Sequence, residues 1–236
     1  MNWASREESP GCWGEGLLRL VDRLKTHLPA TAVHMLSNGW RFSEEGFAQG
    51  LGRLRHWGLM VGIPLYSGLP EEHDHVVQAR GAYDDTLRGI LNLKRVGVRV
   101  EFRVVIHALT HERLPELARF IARNLLFVDH VALMGLELMG FAKTNLPKLW
   151  VDPLDYREPL RAAVRVLDRA GVSTSLYNHP FCVLPTDLHP FVRKSISDWK
   201  NIYFRECEGC SLKEACGGFF ASSSLRRSRG IAPGRP

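Results

Sequence analysis

Four cysteines near the C-terminus, Cys182, Cys207, Cys210 and Cys216, are the side chains of this chain best suited to chemistry. The last three stand in the run CEGCSLKEACGG with the spacing Cys-x2-Cys-x5-Cys, and Cys182 lies 25 positions upstream of Cys207. A Cys-x2-Cys turn places two sulfurs on one ion or on one cluster face. Gly209, Gly217 and Gly218 let the backbone wrap tightly around such a centre. Thiolate is a soft ligand that suits zinc or iron–sulfur. Cysteine count alone ranks a structural zinc first. His179, close to Cys182, is either an alternative ligand or, as is more usual for such a histidine, a turn cap.

The elements that would position these residues alternate between helix and strand. Leu17, Leu18, Leu20, Val21 and Leu24 have helical spacing, and a short strand over Thr31 to Leu36 ends in the turn Ser37-Asn38-Gly39. Phe47 to Leu54 reads as helix and Leu59 to Leu65 as strand. Asp84 is placed to cap a helix that runs to Val96 and stops at Gly97. Val98, Val100, Phe102 and Val104 then alternate with Arg99, Glu101 and Arg103, the pattern of a strand with two different faces. A helix around Leu114 to Leu125 and a strand over Val131 to Leu138 follow. Asp152 and Pro153 open another helix, whose buried face carries Leu160, Ala163, Val164 and Leu167, and Val172 to Tyr177 is the last strand. This order predicts a parallel α/β sheet with right-handed crossovers. Functional residues of such sheets collect at the carboxyl ends of strands, here Asn38, Tyr66 and Ser67, His107, Glu137, and Asn178 with His179. From about residue 178 the periodicity is lost.

The chain has 236 residues, five cysteines and a formal charge of +6. The odd cysteine count argues against a disulfide framework and for a reducing, cytoplasmic setting. No apolar run approaches a membrane span, and MNWASREESPGC lacks the layout of a secretion signal. Part of the charge sits in SLRRSRGIAPGRP, whose composition predicts a solvated, disordered tail over 222–236. No basic stripe interleaved with aromatics occurs elsewhere, so nucleic acid is not expected as a substrate.

The segments HMLSNG, GIPLYSGLPEEHD and ARGAYDDTLRGILNLKRVGVRVEFRVVI resemble the third to fifth barrel strands of radical S-adenosylmethionine (SAM) enzymes. Together with RFIARNLLFVDHVALMGLE, SLYNHPFCVL, SISDWKN and CEGCSLKEACGGFF, they make the chain similar to the radical SAM maturases of the His-Xaa-Ser system over most of residues 15 to 230. The resemblance implies a partial (β/α) barrel over 1–177, an auxiliary iron–sulfur region over 178–221, and a small peptide precursor as substrate, with a partner maturase a further possibility. It makes a 4Fe–4S cluster on Cys182, Cys207, Cys210 and Cys216 the first choice, with zinc as the alternative. It points to Asn38, Ser67 and Arg103 as SAM contacts, although Ser37-Asn38-Gly39 also reads as an ordinary turn and Arg103 as half of a surface salt bridge with Glu101. His73 and Asp74 are expected to pair or cap within a loop. Glu137 is a candidate for the substrate cavity; Asp198 and Trp199 match the family without a chemical role.

The departure from that family lies at its catalytic cluster. Such enzymes hold it through Cys-x3-Cys-x2-Cys near the first strand, and this sequence has only Cys12 there. One thiol cannot hold a cubane. Of the family's Gly-Gly-Glu-Pro segment only Pro10 is matched. The chain therefore reads as a barrel lacking its first two strands, through truncation, a late start codon or a split gene, and as inactive on its own. A zinc-stabilised peptide-binding module and an inactive remnant are the competing classes.

Overall fold

The computed structural model describes residues 14–194 and 201–232. Pro10, Cys12, Asp198 and Trp199, singled out in the sequence, lie outside them.

Five strands, β1 (Val33–Leu36), β2 (Leu59–Pro64), β3 (Arg99–Ile106), β4 (His130–Gly135) and β5 (Thr174–Tyr177), form one sheet in that order. Strands β1 and β2 pair in parallel, as do β2 and β3. Helices α1 (Glu15–His27), α2 (Glu45–Arg53), α3 (Pro70–Val77), α4 (Ala82–Arg95), α5 (Leu114–Asn124), α6 (Phe141–Thr144), α7 (Leu146–Leu149) and α8 (Pro153–Arg169) precede or connect the strands. A two-stranded antiparallel ladder, β6 (Asn201–Ile202) with β7 (Phe219–Phe220), follows. The α/β architecture agrees with the sequence. Among the described residues no helix is long and apolar enough to cross a membrane.

Two compact units divide within β3 and β4: residues 1–103 with 125–131, and residues 104–124 with 132–236. In the first unit, α4 buries Ile90 and Leu93. Its Asn92 donates to the carbonyls of Phe42 (3.0 Å) and Ser43 (3.2 Å), fixing the turn that follows β1. Gly89 makes that approach possible, because a β-carbon there would overlap the Gly39 carbonyl oxygen. Gly39 itself has φ 87°, a left-handed value that favours glycine. Helix α4 starts differently from the sequence reading. Gly81 is its N-cap, and Asp84 sits inside the first turn. The orphan amide of Tyr83 is met by the Asp74 carboxylate (2.8 Å), which also accepts from Gly81. Asp74 therefore caps the next helix from within α3, where the sequence suggested a loop.

In the second unit, α5 packs along α8. Asp152 caps α8 as anticipated, accepting from the Leu154 amide at 3.0 Å. The same carboxylate accepts from the Ser228 hydroxyl (2.5 Å) and the Arg229 amide (3.0 Å), and the Arg229 guanidinium pairs with Asp152 and Asp155. Arg226 lies over the Trp150 ring (4.5 Å), and Arg227 pairs with Glu206 (3.1 Å). Residues 226–230 are thus docked, against the expectation of a free tail. Composition signalled solvation, but the carboxylates at the start of α8 supply counter-charges that lie far away in sequence.

Gly89→Ala tests the turn after β1. Helix propensity favours alanine by about 1 kcal/mol. The clash is with backbone, which cannot step aside, so overpacking of about 1–3 kcal/mol should prevail. The variant should show a lower urea midpoint with an unchanged slope.

Candidate functional site

Strand β3 carries the most unusual side chain of the first unit. Glu101 is buried, although its strand neighbours Arg99 and Arg103 suggested a solvated face. Its carboxylate is bonded to Nδ1 of His130 (2.8 Å), contacted by Nε2 of His34 (3.3 Å), and accepts from Nη1 of Arg103 (3.2 Å). These partners come from β4, β1 and β3. His34 is two strands away from Glu101, and it reaches across β2 because Gly62 lies between them, paired with Leu36 and with Glu101. A β-carbon at Gly62 would come within 2.9 Å of Leu36 and 3.1 Å of both His34 and Arg103. Burial pushes the Glu101 carboxyl up, but bonds from His130 and His34 and the charge of Arg103 outweigh it and hold the group at about 2. Glu101 is therefore ionised at neutral pH. The Arg103–Glu101 pair exists, with the carboxylate buried and the arginine side chain a quarter exposed.

The two other proposed SAM contacts lie at the ends of the adjoining strands. Asn38, just after β1, is buried; its Oδ1 accepts from the Trp40 amide (3.2 Å), and its carbonyl faces the Thr86 hydroxyl (3.4 Å). Its Nδ2 is buried with no hydrogen-bond partner, an orphan donor of the kind a polar ligand satisfies. Ser67, beyond β2, donates to Glu72 (2.6 Å) and accepts from the Leu69 amide (3.1 Å), so its hydroxyl is used in shaping the entry to α3. Arg103 lies opposite Pro64 in register. An orphan amide donor and a guanidinium on the same few strands fit a small ligand carrying a carboxylate and hydroxyls, as SAM does.

The four late cysteines all belong to the second unit. Cys207, Cys210 and Cys216 sit in the loop between β6 and β7, whose pairing of Ile202 with Phe219 closes it. Tyr203 donates its hydroxyl to the Cys216 carbonyl (2.9 Å), and Gly209 and Gly218 take left-handed φ values of 76° and 68°. The Gly218 amide donates to the Cys216 sulfur at 3.4 Å. Cys182 lies in the 3-10 turn Phe181–Val183. Burial raises the Cys182 thiol, and Cys216 and Cys207 raise it further; Cys207 is raised by burial and then by Cys216 and Cys210. Cys182 thus has Cys216 and Cys207 among its electrostatic neighbours, and Cys207 has Cys216 and Cys210. As a donor set, cysteine thiols have the chemistry for zinc as well as for an iron–sulfur cluster. Among the described residues no three His, Cys, Asp or Glu side chains are arranged to hold a single metal ion.

Nε2 of His179 meets the Tyr156 hydroxyl at 3.0 Å, its Nδ1 is buried without a hydrogen-bond partner, and the ring lines a cavity of about 40 Å³ with Leu136, Asn178, Gly217, Gly218, Phe219, Phe220 and Ser223. Glu137, beside Leu136, is half-buried. The sequence missed His34, Gly62 and His130 as partners of Glu101. Its one signal was a glutamate alternating into a strand that a two-sided sheet would bury.

The structure resembles a domain of pyruvate-formate lyase-activating enzyme from Bacteroides vulgatus, with 12% identity over 71% of this chain and 92% of that one and a TM-score of 0.53. It also resembles Streptococcus suis SuiB bound to S-adenosylmethionine (14% identity, 71% of this chain and 37% of that one, TM-score 0.54). SuiB has also been solved with its precursor peptide SuiA. A radical SAM methyltransferase from Sphaerobacter thermophilus matches at 17% identity over 72% of this chain and 49% of that one, with a TM-score of 0.52. This chain spans about a third to a half of the latter two proteins and most of the first domain. These likenesses establish a shared α/β fold, that of radical SAM enzymes. No family model and no curated protein matches the sequence.

Burial lowers His73, His107 and His179 to about 4 from 6.5. All three are neutral when folded and accept a proton more readily when unfolded. Their contribution is complete above about 6.5 and is lost as pH falls toward 4. Urea midpoints measured from pH 7.5 to 4.5 should decline, and His73→Gln should flatten part of that decline; a pH-independent midpoint contradicts this.

Proposed function

We propose that this chain is a peptide-modifying radical SAM maturase of the His-Xaa-Ser type, carrying an auxiliary 4Fe–4S cluster on Cys182, Cys207, Cys210 and Cys216. The observation that supports the reading is the pairing of a fold shared with radical SAM enzymes with four late cysteines that belong to one compact unit. SuiB, which shares the fold, was solved with a precursor peptide, and this supports a small peptide as substrate. When bound, SAM and a reducing cluster supply a carbon radical that abstracts hydrogen. The role of this chain's residues is to hold SAM through Asn38, Ser67 and Arg103 and to bury the reacting groups from water. With four thiolate ligands the auxiliary cluster has no open iron, so it serves in structure or electron relay. The sequence does not fit the catalytic cluster, since Cys12 is its only early thiol. No radical step is assigned to this polypeptide alone. The proposed setting is the cytoplasm.

Anaerobic reconstitution tests the cluster. The chain should take up about four irons and show a broad visible band. Cys210→Ser should lose most of both. A colourless protein with one tightly held zinc would replace the cluster by the zinc-stabilised module. Sequence upstream of Met1 with an in-frame Cys-x3-Cys-x2-Cys would support an intact enzyme, and stop codons there would support a remnant.

A further inference from the structure

The proposed function gives Arg103 a task but leaves Glu101, His34 and His130 without one. The cost of this group is high. A carboxylate has been taken out of water, and a whole strand position, Gly62, is given up so that His34 can reach it. Simple packing is better served by an apolar side chain at 101, since a buried ion pair contributes little net stability against a hydrophobic replacement of similar size. What the carboxylate does provide is direction. It fixes the Arg103 guanidinium from Nη1 at 3.2 Å, and His130 and His34 hold the carboxylate from both oxygens. A long, flexible arginine is thereby set in one orientation before any ligand arrives.

We infer that Glu101, braced by His34 across Gly62 and by His130 from β4, is a positioning residue that aims Arg103 at the carboxylate of the amino-acid moiety of SAM. This rests on the reading of Arg103 as a SAM contact. No bond is made or broken at Glu101; it lowers the ordering cost of a charged hydrogen bond made by its neighbour. The effect is specific to the carboxylate end of the ligand. 5′-Methylthioadenosine, which keeps the nucleoside and lacks the amino-acid moiety, should not depend on Glu101.

Equilibrium binding of SAM and of 5′-methylthioadenosine to the full chain tests this, with thermal unfolding as the control for folding. Glu101→Gln keeps the shape and removes the charge. It should lower the preference for SAM over 5′-methylthioadenosine by about tenfold, the scale on which supporting residues affect ligand affinity. Arg103→Ala should lower it at least as far. If Arg103→Ala lowers the preference and Glu101→Gln does not, the positioning role is wrong and the Arg103 contact stands. If neither changes it, or if wild-type protein shows no preference for SAM, both fall. Equal loss of both ligands in Glu101→Gln marks a purely structural residue and overturns the inference. Should Glu101→Gln fail to fold, Glu101→Asp keeps the charge but withdraws it by one methylene; an intermediate preference supports the inference, and a wild-type preference overturns it.

Discussion

A charged carboxylate inside a β-sheet must be surrounded by donors or be neutralised. Glu101 meets that constraint with donors drawn from β1, β3 and β4, and much of the first unit's local design follows from it. Gly62 has no side chain because two others need its space. The charge of Arg103 is matched within its own strand. An ionised group that needs three partners is a poor choice for stability and a good one for fixing geometry.

The second unit meets a related difficulty with sulfur. Burial, and then neighbouring cysteines, raise the pKa of Cys182 and of Cys207, so these two thiols resist becoming thiolates. A bound cation would favour the thiolate forms. The β6–β7 ladder closes the cysteine loop with two residue pairs, and the Tyr203 hydroxyl, bonded to the Cys216 carbonyl, ties the loop from inside. The docked basic segment adds to this region: the Ala232 amide faces Cys182, and Arg227 reaches Glu206, the neighbour of Cys207.

The fold and the candidate site were not equally legible. Helix α8 was readable in full, because Asp152, Pro153 and the Leu160–Leu167 face are local signals that its structure obeys. Helix α4 was readable in extent but not in its start, since its cap comes from Asp74, nine residues before the amide of Tyr83 that it satisfies. Strand β3 was recognised by its alternation, yet the same alternation suggested that Glu101 was exposed. The histidines that bury it lie 67 positions before and 29 positions after it.

Sequence by itself determined the alternating α/β order, the grouping of four late cysteines and the absence of the early cysteine motif, because each is written in local spacing and residue type. Tertiary structure alone decided that buried Glu101 meets two histidines and an arginine, that Gly62 makes room for His34 and Arg103, and that the basic C-terminal segment is held by Asp152 and Asp155. Those outcomes depend on which strands become neighbours and which charges meet, and pairing between distant segments leaves no periodic trace in either of them.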